Sequence, residues 1–227
     1  MTDKNDNLLQ RRSLLTGMGV AAAGMAVGAT AANAKAGGFE AARHDLDAWL
    51  GEMPGSHRAF VDSASAEGGA TALHYARNIL NANNGAYGGE DSDYAMIVCL
   101  RHYSTVFGYG DEVWKKYGKD LYNEAKFADP VSGGAPEINL MQATDRPLMP
   151  NNGATIDYLR GRGVEFAICD AATHYFANYL SAAGHGEADE LYKELVASAI
   201  PDSRFVSAGV MAVTRAQEYG YSYLFSG

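Results

Sequence analysis

Two rhythms of apolar and polar residues alternate along this chain. Short apolar runs give way to longer stretches with helical spacing. The run "YAMIVCL", from Tyr94 to Leu100, is the pattern of a strand buried on both faces. Arg58 to Ser65, Val164 to Ile168, a piece near Arg204 to Ser207 and the closing "YSYLF" are further candidate strands. Between them, "ATALHYARNILNAN" places Ala72, Leu73, Ala76, Ile79 and Leu80 on one helical face. Further helices are predicted over Asp111 to Ala125, Thr155 to Arg160, Ala171 to about Ala183, Glu187 to Ala199 and Val210 to Glu218. The apolar stripe of the helix beginning at Ala171 is read as Ala171, Ala172, Tyr175, Phe176, Tyr179, Leu180 and Ala183, which leaves His174 off it.

This βαβα order predicts an α/β domain, residues 57–227, with a mostly parallel five-stranded sheet and helices on both faces. Residues 35–56 read as a short polar and aromatic arm with one helix around Leu46 to Leu50. The only long irregular segment, Ala128 to Gly153, holds four of the six prolines. It is read as a lid or binding loop, or as a partly disordered insert.

Residues 1–34 read as a targeting segment. A polar start leads through Arg11-Arg12 into the alanine-rich "VAAAGMAVGATAANA", which ends in the small-residue pattern Ala32-Asn33-Ala34. The arginine pair and the moderate, glycine-containing apolar run suit twin-arginine export to the periplasm, with no stable membrane insertion after cleavage. Removal leaves 193 of the 227 residues and, with Lys4, Arg11, Arg12, Asp3 and Asp6 gone, a net charge of −10 instead of −9. So acidic a chain, without a basic patch, argues against nucleic acid as a partner. No G-x-G-x-x-G, P-loop, G-x-S-x-G, H-E-x-x-H or C-x-x-C is present, which takes weight from nucleotide, hydride and serine-hydrolase chemistry.

Open sheets of this kind bind ligands outside the carboxyl ends of their strands. That rule selects Asp62 and Ser63, the stretch Cys99 to Tyr103, Cys169 and Asp170, and Ser207 to Gly209. Cys169 falls where a strand ends and a helix begins, a setting in which helix amides favour a thiolate. Asp170, a candidate N-cap, opposes that, and an inert buried cysteine is the alternative. His174 shares a helical face with Asp170 and is read either as its partner or as a solvated surface residue. Arg101 and His102 leave a buried strand for a loop carrying Tyr103, where they are placed to bind an anion or supply a base. Cys99 and Cys169 are candidates for a disulfide, or with His102 and His174 for a Cys2His2 metal site. No cofactor is identified by these residues.

The second half, "L-x-x-x-G-V-E-x-x-x-C" within "YLRGRGVEFAIC" and, downstream, "P-x-x-x-x-V-x-x-G-V" with "A-Q-E-x-G-Y", resembles the DsrE/DsrF-like sulfur-relay family. "LRHYSTVFGYGDEVWKKYG" looks like a segment of its exported, twin-arginine members, and the resemblance covers most of residues 57–225. It implies a three-layer α/β sandwich, homo-oligomers, and a carboxyl-edge cysteine that accepts persulfide sulfur, for which Cys169 is the equivalent position. On that reading Cys169, Arg101 and His102 are the chemical residues, Asp62, Asp170, His174 and Tyr103 bind ligand, and the partner is a small sulfur species. The competing expectation is a non-catalytic periplasmic protein that binds a small ligand, metal or haem through His102 and the strand-end loops.

Overall fold

A computed structural model of the protein describes residues 40–227; residues 1–34, read above as a targeting segment, and the first residues of the arm lie outside the described residues. Strands β1 (His57–Ser63), β2 (Tyr94–Leu100), β3 (Glu165–Cys169), β4 (Arg204–Val206) and β5 (Ser222–Phe225) form one sheet in the order β4-β3-β2-β1-β5. Every neighbouring pair is parallel. Helix α1 (Trp49–Glu52) precedes the sheet. Helices α2 (Ala66–Ala82), α3 (Asp111–Ala125), α4 (Ile156–Arg160), α5 (Asp170–Ala182), α6 (Ala188–Ala197) and α7 (Gly209–Glu218) fill the connections.

The strand order decides which helix covers which face. From β1 to β4 the chain steps across the sheet in one direction; it then returns to place β5 on the far side of β1. Right-handed crossovers therefore send the first three connections to one face and the last to the other. Burial follows this division. Val61, Val98, Leu100, Phe166 and Ile168 pack with Leu73, Trp114, Tyr117, Phe176 and Leu195, from α2, α3, α5 and α6. The alternate strand residues Phe60, Ala95, Ile97, Cys99 and Ala167 pack with Ala212 and Ala216 of α7 and with Leu50. A period of two along each strand thus feeds two cores, giving three layers. Each fully buried large side chain stabilises the fold by about 1.5–3 kcal/mol.

The arm is fastened to the α7 face. Arg58 donates to the Leu50 and Gly51 carbonyls at 2.5 and 3.3 Å, and Tyr221 Oη donates to Leu50 O at 2.9 Å. These bonds occupy carbonyls that a helix as short as α1 leaves free. The single helix expected around Leu46 to Leu50 is divided into a 3-10 turn, Asp45–Asp47, and α1.

Residues 128–153 carry neither helix nor strand, yet they are packed: Asn139, Leu140 and Met141 are buried. The Asn139 amide donates to Phe107 O at 2.8 Å and Tyr109 O at 3.0 Å, and its Oδ1 accepts from Met141 N at 3.0 Å. This segment lines a depression at the amino end of β3, and none of its residues borders the carboxyl-edge cleft. A lid over that cleft is not what it forms.

Candidate functional site

Strands β3 and β4 are neighbours, but α5 leaves β3 on one face of the sheet and α7 leaves β4 on the other. The two helix starts diverge and leave a crevice, the topological switch point at which open α/β sheets bind ligands. Cys169 ends β3 at that point and is itself the N-cap of α5. Its Sγ accepts from Ala172 N of α5 at 3.4 Å and from Gly209 N of α7 at 3.2 Å. N–H groups from the starts of two helices thus meet one sulfur, an arrangement that suits negative charge there. Asp170 was expected as the N-cap. It is instead the first helical residue, because the cysteine sulfur already takes the N-cap bond.

Cys169 is 6% exposed, and that exposure opens into a cleft of about 500 Å³. Arg101, His102, Tyr103, Tyr175 and Val210 form its walls with Ala171, Ala172 and Ala208. Gly209 allows the close approach at its base. A Cβ there would lie 2.5 Å from Arg101 Cβ, so the arginine stem occupies the space a side chain would need.

Arg101 is held from below. Its Nε donates to Asp62 Oδ1 at 2.7 Å and its Nη2 to Oδ2 at 2.9 Å, a bidentate pair. Tyr223 Oη adds a bond to Oδ2 at 3.0 Å, and the Phe225 ring lies 5.6 Å from Arg101 Cζ. The Asp62 side chain is 1% exposed and Arg101 19%, so the carboxylate is sealed and the guanidinium reaches the cleft. The bond to Asp62 moves the Arg101 pKa up; burial, then the bond to Asp62, does the same to Tyr223.

His102 opens a 3-10 helix, His102–Gly108, where a loop was expected. It is exposed, its ring centroid lies 4.0 Å from that of Tyr103, and its φ of +53° is left-handed. A non-glycine residue there is a common mark of a positioned side chain.

The structure thus brings Cys169, Arg101, His102 and Tyr103 to one cleft, with Asp62 beneath. Asp170 and His174 do not line it. Asp170 accepts a 2.7 Å bond from Tyr192 of α6, and the His174 ring stacks on Tyr192 at 3.9 Å. His174 Nε2 lies 3.7 Å from Asp170 Oδ2.

Cys99 lies behind the cleft in the α7-side core, and both cysteines are free thiols. Cys99 is in register with Ala167, so Cys169 is its diagonal neighbour on the same face. Such diagonals span about 7–8 Å, beyond what a disulfide bridges without backbone movement. Burial, then the nearby Asp62 and Cys169, push the Cys99 thiol well up. The Cys2His2 grouping is not formed: among the described residues no three His, Cys, Asp or Glu side chains are placed to hold a metal.

Tyr175, Val210, Ala171 and Ala172 are the wall residues that sequence reasoning missed, and the stripe reading had put Ala171 and Ala172 in the core as well. Tyr175 was counted in the core stripe, but the buried face of α5 is Thr173, Phe176, Ala177 and Leu180, and Tyr175 is exposed. Its Oη donates to Glu124, and this bond, with burial second, pushes its pKa up to about 12. The strand order would have exposed these residues, since it alone says that α5 and α7 start on either side of one crevice.

A larger depression, about 890 Å³, lies at the amino end of β3. Its Arg160 is engaged by Asp157 and Asp202, and neither thiol nor imidazole lines it. Chemistry rather than volume selects the carboxyl-edge cleft. In comparisons with known proteins, no family model matches the chain and no curated protein matches it significantly.

Proposed function

We propose that this chain is an exported, DsrE-like protein of the periplasm that carries sulfane sulfur, or exchanges thiols, on Cys169. The observation that carries this reading is the pair of backbone N–H donors on Cys169 Sγ at the base of an open cleft. A sulfur so placed is reachable, and its negative charge is met by fixed dipoles. In the transfer, the Cys169 thiolate attacks the outer sulfur of a donor persulfide and the donor S–S bond breaks. The donor leaves as a thiolate, and Cys169 holds a persulfide anion. No external oxidant is consumed. Arg101 and His102, on the wall, stabilise the anionic sulfur; Asp62 keeps Arg101 in place.

Intact-protein mass after incubation with a persulfide donor tests this. One added sulfur, absent in Cys169→Ser, is the expected result. No addition, or addition that survives the substitution, rejects it.

A second reading, non-catalytic binding of a small ligand, draws on the cleft volume of about 500 Å³, far more than one sulfur atom occupies. Under it, Cys169→Ala leaves ligand affinity unchanged. Association into homo-oligomers belongs to the same proposal and is read by sedimentation of the exported protein.

A further inference from the structure

The cleft above Cys169 is built for more than sulfur. Apart from Arg101 and His102 its wall is apolar or aromatic: Tyr103, Tyr175, Val210 and three alanines. Its volume of about 500 Å³ falls within the range of about 300–1,000 Å³ that organic ligands fill. An inorganic sulfur anion would leave most of that wall uncovered, and Tyr175 and Val210 are 49% and 60% exposed. Both expose apolar surface at the mouth of the site, Tyr175 with its hydroxyl engaged by Glu124 and its ring face free to meet a ligand, and burial of that surface would be favourable.

Polarity is confined to one side. Arg101 gives two of its N–H groups to Asp62, and a guanidinium has five, so donors remain for an acceptor in the cleft. The bidentate grip of Asp62 and the contact of the Arg101 stem with Gly209 fix where those donors stand. A fixed donor group on one side and an apolar wall on the other define an amphiphilic ligand with one anionic end.

We infer that the cleft selects an organic anion with an aromatic or comparably apolar body, its anionic group on Arg101 and its body between Tyr175 and Val210. This deepens the preceding reading and rests on it for the role of Cys169: the sulfur donor is an organic persulfide of that class, not a bare inorganic sulfur anion. The binding itself needs no reaction at sulfur.

Phenylacetate, a non-reactive probe, tests it by calorimetric titration of the full mature chain, with acetate, phenylacetamide and thiosulfate alongside. The inference requires phenylacetate to bind at least tenfold more tightly than each of the others. It also requires the Gly209 and Ala172 amide resonances to shift with it. Tyr175→Ala and Val210→Ser, both at exposed positions, should each weaken phenylacetate several-fold and leave acetate unchanged. Equal binding of acetate or phenylacetamide, tighter binding of thiosulfate, no binding at all, or insensitivity to both substitutions overturns the inference. Persulfide loading of Cys169 by an organic persulfide is measured in parallel. Loading without phenylacetate selectivity sinks this inference alone, and selectivity without loading sinks only the sulfur reading.

Discussion

The backbone N–H of Gly209 donates to Cys169 Sγ at 3.2 Å, and this bond ties the start of α7 to the end of β3. The same glycine has no room for a side chain, because a Cβ would lie 2.5 and 2.9 Å from Arg101 Cβ and Cδ. Gly209→Ala therefore has to move either α7 or Arg101. Overpacking of this kind costs about 1–3 kcal/mol. Stability in urea is expected to fall by that amount, and the alkylation rate of Cys169 is expected to change with it, because a shift of α7 draws an N–H donor from the sulfur and a shift of Arg101 moves the cleft wall beside it. A variant with native stability and an unchanged rate would show that the contact positions nothing.

Cys99 and Cys169 lie on the same face of adjacent strands, yet they differ in what surrounds the sulfur. Burial pushes the Cys99 thiol well above its ordinary value of 9.0. The unfolded chain ionises near that value and the folded chain does not. Stability from this group is therefore complete below about pH 9 and is lost as pH rises further, by about 1.4 kcal/mol per pH unit. Denaturation followed from pH 8 to pH 10.5 should show stability falling in the wild type, and Cys99→Ala should make that fall shallower. In native protein near neutral pH, a thiol reagent should label Cys169 and reach Cys99 only on unfolding.

The sheet and its helices were legible because each element states its own period. The unbroken run Tyr94 to Leu100 is β2 to the residue, and Ala72, Leu73, Ala76 and Leu80 are buried as their spacing requires. The carboxyl-edge rule also reached Arg101, His102, Tyr103 and Cys169, which share one cleft. Strand order was not legible, since nothing local says that β5 returns to the far side of β1. Without it the placement of α7 on the second face, the meeting of α5 and α7 over Cys169, and the exposure of Tyr175 stayed hidden. Asp170 was grouped with the site by the same rule, and His174 by its helical spacing from Asp170, but neither lines the cleft. Their partner Tyr192 comes from α6, a tertiary contact that spacing does not encode.

The Asp62 and Arg101 pair should respond asymmetrically to substitution. Arg101→Met leaves a carboxylate that is 1% exposed with Tyr223 as its remaining side-chain partner, and uncompensated buried charges cost about 3–5 kcal/mol. Asp62→Asn leaves an arginine 19% exposed, which can still donate to the amide oxygen, so its cost is about 1–2 kcal/mol. The double change Arg101→Met, Asp62→Leu should recover much of the loss of the first single change. Urea midpoints of the three variants decide this, and equal losses for the two single changes would mean that the carboxylate is not sealed as described.

His102 is a residue whose backbone and side chain pull apart. Its φ of +53° is unfavourable for a side chain with a Cβ, and its ring is exposed at the cleft wall. Strain of this kind costs about 1–3 kcal/mol, while a glycine placed there loses about 0.5–1 kcal/mol through its freer unfolded state. His102→Gly is therefore expected to leave stability unchanged or raise it by about 1 kcal/mol. His102→Val, β-branched and strongly disfavoured at positive φ, should lower stability by about 1–3 kcal/mol. Persulfide loading of Cys169 should slow to a similar extent in both, since both remove the imidazole. Stability by denaturant titration and loading rate by timed mass measurement separate the two effects. If loading instead tracks stability across the pair, the imidazole has no part in the chemistry, and its position reflects only the turn out of β2.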